Sequence, residues 1–368
     1  MFVNIDWFFL SHRLPIAKAA KLNNVDMSVY TDFSKQDKLS DDQGFDLIQS
    51  PIRRSSKFFG FVIIEFIKAY LLILKEKPNL VHAVTIKPII LLGLVTRLTR
   101  TPFVGSISGL GPVFNQINLS QKIRFKLVLL IYKFIYSTNS STIICQSAHD
   151  KNLLLKFRVC SESRISIIRG SGVNLEQFKP ASSKNDNHNV LMASRILSDK
   201  GVKEFCASAK QFRNLDDRGI KFRLAGPIDE LSPTSISEEE LKFVCADSEV
   251  EYLGNRTDIN SLLASASIFI LPSYYPEGVP KVLLEAASCG TPVITTDHPG
   301  CRDAIINNKT GILVEPRNSE AITKAILFML DNPKTLDKMA KASRKLAEDY
   351  FDEKKVVEEH YKIYQQYS

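Results

Sequence analysis

Short apolar runs, each the length of one strand and separated by room for a helix, recur along this chain, stop at a polar segment, and start again. The front series predicts strands at 2–5, 25–31, 80–83, 102–107, 142–146 and 165–168, with helices near 120–136 and 148–158. A first helix is expected to start at Ser11 as its N-cap, with Pro15 in its first turn. The segment 179–188, KPASSKNDNH, has no apolar periodicity and reads as a linker. Beyond it strands are expected at 189–193, 222–225, 250–253, 267–271 and 292–295, and helices at 200–212, 236–246, 258–265, 280–289, 318–330 and 333–348; Gly311 reads as a turn. Parallel strands need helical crossovers, so this rhythm predicts a parallel sheet covered on both faces, built twice. The expected fold class is α/β, with two Rossmann-like doubly wound domains: a first domain over 1–179 and a second domain over 189–350. An amphipathic helix over 351–368 is expected to pack back on the first domain. With 368 residues, both domains can bury a core.

Charge divides along the same line. Residues 1–180 hold 24 Lys and Arg against 12 Asp and Glu, whereas residues 181–368 hold 24 against 28. A basic front half and an acidic back half suit different partners. Nucleic acid is disfavoured, because no RNA- or DNA-binding motif accompanies the basic residues. Two segments suit an anionic membrane surface better. Residues 58–74, FFGFVIIEFIKAYLLIL, are too interrupted by Glu65 and Lys68 to span a bilayer readily, and residues 121–136, QKIRFKLVLLIYKFIY, alternate cations with large apolar side chains. Either helix could instead cover the sheet with lysines at its rim. The six cysteines show no metal or redox spacing and read as small buried residues of a reduced compartment. No signal peptide is evident, since Arg13 and Lys18 follow the apolar start.

The chemistry gathers at the expected carboxyl ends of the second domain's strands, where open α/β sheets bind ligands. In PSYYPEGVPKVLLEAASCG, Glu277 lies in a Gly/Pro turn and Glu285 lies in the apolar start of a helix. A carboxylate among Val282, Leu283, Leu284, Ala286 and Ala287 is costly to bury unless something binds it. Pro280 reads as the first helical residue, with Gly278 and Val279 bringing the backbone against an anion at the helix's free amides. Glu285 has the two acceptor oxygens that grip a ribose. Arg195, just past one strand, and Lys200, before a glycine and a helix, are suited to a diphosphate. Gly226 and the loop Gly254, Asn255, Arg256 sit on the same rim. Each of these residues, taken singly, also fits a solvated surface.

Together the pattern resembles glycosyltransferase family 4, the retaining nucleotide-sugar transferases of GT-B fold. The matching pieces are Phe9-Leu-Ser-His-Arg-Leu-Pro15, His82, Gly109-Leu-Gly111, Gly170-Ser-Gly-Val-Asn-Leu-Glu-Gln-Phe178, Arg195 with Lys200-Gly201, and Glu277 and Glu285 with seven residues between them. The resemblance implies two domains facing across a cleft, with Arg195 and Lys200 on the donor diphosphate, Glu285 on the donor ribose and Glu277 on the transferred sugar. It also implies Val279 and Pro280 beside the phosphates, residues 254–256 beside the base, and Gly109 and Gly111 on the acceptor-side domain's loop. It implies no metal, and the chain has no Asp-x-Asp pair. Two positions depart from the pattern: Ser108 stands where many relatives carry histidine, and Asp303 where glutamate is common. His12 and His82 are candidate acceptor-side groups, or core histidines.

The chain is most similar in look to bacterial transferases that extend undecaprenyl-diphosphate-linked sugars for capsule, O-antigen or N-glycan assembly. The implied reaction is retaining transfer from a UDP-sugar, N-acetylgalactosamine or a related hexose, onto a lipid-linked saccharide. The implied place is the cytoplasmic face of the plasma membrane, with peripheral attachment. The competing readings are a nucleotide-sugar epimerase of the same architecture and a non-catalytic scaffold on a lipid surface. A nicotinamide dehydrogenase is disfavoured, because no Gly-x-Gly-x-x-Gly follows the first strand.

Overall fold

A computed structural model describes residues 1–33, 47–53, 59–110, 119–181, 189–216, 218–230, 232–275 and 277–367. The chain forms two compact units, Met1–Ser171 with Lys354–Ser368, and Gly172–Glu353. The expected linker lies, from 182 to 188, outside the described residues.

The first unit holds a seven-stranded parallel sheet. Its strands are β1 (Phe2–Val3), β2 (Val29–Thr31), β3 (Leu47–Gln49), β4 (Val81–Val84), β5 (Phe103–Ile107), β6 (Ser141–Cys145) and β7 (Ile165–Ile167), in the order β3-β2-β1-β4-β5-β6-β7. Every residue of β4, β5 and β6 is buried, as expected of strands covered on both faces. On one face lie α3 (Phe59–Glu76), α4 (Ile86–Thr99), α5 (Leu119–Ile135) and α6 (Ala148–Lys156), over a core that includes Leu92, Phe103, Tyr132 and Leu154. α1 (Asp6–His12) and α2 (Leu14–Leu22) form a separate core with α13 (Glu353–Tyr364), in which Phe9, Ile16, Tyr361 and Tyr364 are buried together. Among the described residues no helix is long and apolar enough to cross a membrane.

Ser11 does not cap a helix. α1 begins five residues earlier, at Asp6, and the Ser11 hydroxyl donates to the carbonyl of Trp7 one turn back (2.8 Å). Short hydroxyl side chains make either bond, and here the i−4 carbonyl wins.

The second unit holds a six-stranded parallel sheet of β8 (Asn189–Ala193), β9 (Lys221–Ala225), β10 (Glu251–Tyr252), β11 (Ile268–Leu271), β12 (Val293–Thr296) and β13 (Gly311–Val314). Its order is β10-β9-β8-β11-β12-β13, with α7 (Val202–Arg213), α8 (Glu238–Ser248), α9 (Ile259–Ser265), α10 (Lys281–Ser288), α11 (Ser319–Asp331) and α12 (Pro333–Leu346) between and after the strands. Gly311 is not a turn residue: it opens β13 and pairs with Val293. β11 is buried at all four positions, and truncating Phe269 to alanine would cost about 3–5 kcal/mol. α8 shows a helix start written in the sequence: the Ser237 side chain accepts from the Glu240 amide (3.2 Å), and three glutamates occupy the first turn against the helix dipole's positive end.

In this strand order, the connection leaving β8 runs outward to β9, and the one leaving β11 runs the other way to β12. The loops after β8 and β11 therefore part from one another, leaving the crevice in which doubly wound sheets bind ligands.

Candidate active site

The loop after β8 carries Arg195 and then a short helical turn, Ser198–Lys200. Gly201 follows at φ 83°, serving as the N-cap of α7. A Cβ at this position would lie 2.4 Å from the carbonyl oxygen of Pro272, in the loop after β11. Only glycine allows both that left-handed backbone and that approach. The two loops are thus held together across the switch point. The Tyr274 amide donates to the Asp199 carbonyl at 2.9 Å.

At this junction Lys200 pairs with Glu277 through Nζ and Oε1. The lysine side chain is 8% exposed, and the glutamate's is 24% exposed. The Lys200 ammonium also stands 5.1 Å from the centre of the Tyr275 ring, a cation–π placement that suits a desolvated cation. Both glutamates of the sequence motif sit where water is scarce. Glu285, on α10, has a side chain 15% exposed with Lys281 Nζ 4.0 Å away. Burial raises its pKa above the ordinary carboxylate value, and Lys281 opposes this in part. A buried acid with a single distant cation is poised to accept hydrogen bonds from an incoming ligand.

Pro280 is the N-cap of α10, with ψ 124°, and not its first helical residue. The helix opens one residue later, at Lys281. Pro280 is still compatible with an anion site, because the amides of the first turn begin after it. Val279 is buried against the core, which fixes the turn from Gly278 into the helix.

On the other side of Lys200, Arg195 Nη1 donates to Asp229 Oδ2 at 2.6 Å. A guanidinium has five donors, so this pairing leaves several for another anion. Gly226, φ 142°, follows β9 beside the loop that carries Arg195, and a Cβ there would lie 1.7 Å from the Ser194 carbonyl oxygen. Its amide donates to the Gly254 carbonyl at 2.8 Å, and its carbonyl accepts from the Tyr252 hydroxyl at 2.8 Å. The rim therefore runs without a break from Gly254 through Gly226 to Arg195, and from Lys200 to Glu277. Asn255 and Arg256 are exposed on the loop beyond, where Arg256 is held by Asp258 through two bonds of 2.8 and 2.7 Å.

The first-unit candidates are placed differently. Gly109 follows β5 with φ 84°, and Gly111 lies outside the described residues. The Ser108 hydroxyl is buried with no hydrogen-bond partner among the described residues. His82 is buried, joined to the Tyr364 hydroxyl through Nδ1 (2.6 Å) and to Ser106 Oγ through Nε2 (2.7 Å). It ties α13 to β4 and β5 and behaves as a core histidine. His12 stacks on Phe8 with ring centres 4.2 Å apart and meets Ser11 Oγ through Nδ1 at 2.5 Å. Asp303 lies in a short helical turn, Arg302–Ala304. Among the described residues no group of three or more His, Cys, Asp or Glu side chains is gathered to hold a metal ion.

Two partners escaped sequence reasoning. Asp229 gave no signal, because its meeting with Arg195 depends on β8 lying beside β9. Tyr275 stands in the same PSYYPEG turn as Glu277, and an aromatic two residues before a site carboxylate was an available hint.

The chain matches two family models, "Glycosyl transferase 4-like" over residues 1–147 and "Glycosyl transferases group 1" over residues 174–346. It is 32% identical to the N,N'-diacetylbacillosaminyl-diphospho-undecaprenol alpha-1,3-N-acetylgalactosaminyltransferase of Campylobacter jejuni, over 67% of this chain and 63% of that relative, so the match spans a little under two thirds of the relative's length. It is 29% identical to the UDP-Gal:alpha-D-GlcNAc-diphosphoundecaprenol alpha-1,3-galactosyltransferase of Escherichia coli, over 76% of this chain and 73% of the relative. Among solved structures it resembles Anabaena HepE in complex with UDP and glucose, with a TM-score of 0.78 and 16% identity over 99% of both chains, a likeness of fold.

Proposed function

The chain belongs to the family 4, group 1 glycosyltransferases, and on that premise we propose that it transfers a hexose, with retention of configuration, from a UDP-sugar to a saccharide carried on polyprenyl diphosphate. The observation that carries this reading is the Lys200–Glu277 pair at the switch point of the second sheet, with Arg195 on one side and α10 on the other. Arg195 and Lys200 hold the diphosphate, together with the first amides of α10. Glu285 takes the ribose hydroxyls. Glu277, beside the lysine, takes a hydroxyl of the sugar being moved. The base lies toward Gly254–Arg256.

In the reaction the bond from the anomeric carbon to the diphosphate oxygen breaks, and one to the acceptor hydroxyl oxygen forms on the same face. The acceptor's proton passes to the departing phosphate. Positive charge builds on the sugar ring while negative charge builds on the diphosphate. Arg195 and Lys200, fixed in advance by Asp229 and Glu277, stabilise that negative charge without reorganising. In this reading the two cations do the neutralising work, and no metal is needed.

The names of the Campylobacter and Escherichia relatives support an undecaprenyl-diphosphate acceptor, and the first supports N-acetylgalactosamine or a related hexose as the donor sugar. The lipid stays in the bilayer, so the enzyme works at a membrane surface, on the cytoplasmic side where nucleotide sugars are found. The test is a screen of UDP-, GDP- and TDP-sugars against lipid-diphosphate saccharides, with NMR of the product. Sugar transferred with its anomeric configuration kept supports the proposal, and an inverted product removes retention. A changed sugar released without acceptor points to an epimerase, and UDP binding too weak for calorimetry to a scaffold.

A further inference from the structure

The helices on one face of the first sheet present a surface that the fold does not use. α4 packs between α3 and α5. α5 carries two apolar stripes. Phe125, Val128, Tyr132 and Ile135 are buried against the core, but Ile123, Leu127, Leu130 and Phe134 point to solvent, between 51 and 64% exposed. α3 does the same with Phe61, Ile64, Ile67 and Leu71. An ordinary surface helix is polar on its outer face, so two helices of one layer with apolar outer faces mark a surface that meets something.

Charge says what that is. α5 and α4 contain no acidic residue. On α3, Glu65 is turned inward, buried and paired with Lys87 at 2.9 Å. The outer charges beside the apolar stripes are Lys68, Lys75, Lys122, Arg124 and Lys126, all exposed, with one exposed acid, Glu76, at the end of α3 and paired with Lys75 at 3.8 Å. At the carboxyl ends of α4 and α5 the same face opens into a cavity of about 90 Å³ lined by Arg97, Arg100 and the hydroxyl residues Thr96, Thr101 and Ser140, with no carboxylate in its lining. The Arg97 guanidinium lies 4.9 Å over the exposed ring of Phe134. Its Nε is buried and has no hydrogen-bond partner among the described residues. Two guanidinium groups and a ring of hydroxyls, with a donor left over, are a site for a phosphate oxygen.

We propose that the outer face of α3 and α5 docks on an anionic bilayer, with the phosphate of a lipid headgroup seated between Arg97 and Arg100. This rests on the reading that the acceptor is lipid-linked and names the surface that meets the lipid. Apolar side chains enter the acyl boundary while the cations around them meet headgroup phosphates. A second copy of the chain is the poorer occupant, because it would set this cation-rimmed face against itself.

The experiment is co-sedimentation of the full chain with vesicles of neutral phosphatidylcholine and with vesicles in which about a third of the lipid is phosphatidylglycerol. The chain should bind the anionic vesicles and barely bind the neutral ones. Arg97→Gln with Arg100→Gln should weaken binding by about 20- to 30-fold, at about fivefold for each cation removed. Leu127→Ser with Leu130→Ser should weaken it at least as much. Melting curves and UDP calorimetry on each variant should match the parent, since both pairs lie on the helix surface of the first unit and the candidate donor site is built from the second. Equal binding to both vesicle types, or no effect of the arginine pair, would overturn the proposal. So would displacement from the vesicles by a few millimolar inorganic phosphate at fixed ionic strength, which would make the cavity a free-phosphate site. Dimers that form without lipid and vanish in the leucine variant would instead assign the face to a second copy. Transfer to detergent-dispersed acceptor, measured in parallel, tests the transferase reading separately: its loss with vesicle binding intact sinks only that reading.

Discussion

Lys200 and Glu277 stand 77 residues apart in sequence and form an ion pair where the loops after β8 and β11 diverge. The pair keeps a nearly buried ammonium aimed at the crevice before any substrate arrives. An ammonium has three donors, so the glutamate does not exhaust it. A diphosphate entering the crevice meets a cation whose desolvation has already been met by folding.

Removing the lysine should therefore have two separable effects. Lys200→Ala should lower turnover about 100- to 1,000-fold, the scale of losing one preorganised stabiliser of developing charge. It should also cost about 1–2 kcal/mol of stability, less than for a fully buried pair, because Glu277 keeps 24% of its side chain exposed. The double variant Lys200→Met, Glu277→Gln should recover most of the stability and none of the turnover. Melting curves beside initial rates check this, and a double variant that recovers rate would remove the pair from the chemistry.

The glycine next to that lysine predicts a contrast. At Gly201 an added Cβ meets the Pro272 carbonyl at 2.4 Å, whereas at Gly254, also with positive φ, it meets nothing within 4 Å. Gly254→Ala should cost only the left-handed backbone penalty of about 1 kcal/mol. Gly201→Ala should cost about 2–4 kcal/mol, adding overlap to the backbone penalty, and should push the two loops apart. Turnover should fall with it, because Lys200 loses its place against Glu277. Equal melting temperatures for the two variants would contradict this account.

What was legible in the sequence follows from burial. The central strands β4, β5, β8, β11 and β12 are buried on both faces, so they stand out as apolar runs between polar loops. α4 was missed for the converse reason. It is packed between α3 and α5, so it is apolar nearly all round and shows no helical periodicity. β13 was hidden because it opens with Gly311. In the candidate site, local chemistry was enough to single out a carboxylate in an apolar helix and a lysine before a glycine. It could not single out Asp229, because its meeting with Arg195 depends on the strand order. The outward stripe on α5 was ambiguous between core and surface until the inner stripe was seen to fill the core alone.

Glu285 should show opposite responses in free and donor-bound protein. Burial raises its folded pKa above the unfolded value, so the charged form is disfavoured in the free protein. A raised carboxylate pKa means the folded state binds more protons, and this group favours folding as pH falls. Glu285→Gln should then raise the melting temperature of the free protein, by about 2–4 °C for each 1 kcal/mol relieved. The same change should weaken UDP-sugar binding about 10- to 100-fold, by losing hydrogen bonds to a charged acceptor. Donor affinity of the parent should fall as pH drops toward the raised pKa, and that of the variant should not. Calorimetry across pH 5 to 8 reads both, and a variant with unchanged UDP affinity would separate Glu285 from the ribose.

The buried histidines of the first unit predict an acid sensitivity of the opposite sign. His360 sits on α13, with Nδ1 2.7 Å from the Val356 carbonyl and Nε2 buried without a hydrogen-bond partner among the described residues. Burial, with buried Arg13 nearby, lowers its pKa to about 3. His82 is held well below 6.5 by burial, with His360, Arg13 and the N-terminal ammonium adding to the effect. Burial also lowers the Met1 amine to about 5. All three groups bind protons more readily in the unfolded chain. The stability they contribute is therefore complete above their unfolded pKa values and is lost as pH falls toward the folded ones. Each histidine should cost on the order of 1 kcal/mol at pH 5.5 relative to pH 8, well before most carboxylates titrate. The first segment to loosen should be α13, since His82 reaches it through Tyr364. His360→Leu removes one of these three proton-binding groups and gives up only a bond to a carbonyl of its own helix, so it should flatten the melting temperature's dependence on pH between 7 and 5 by about a third. Hydrogen exchange at residues 354–364 over the same range should show protection falling with pH in the parent and falling less in the variant. A parent whose protection there is constant from pH 8 to 5 would show that these histidines are not linked to the packing of α13.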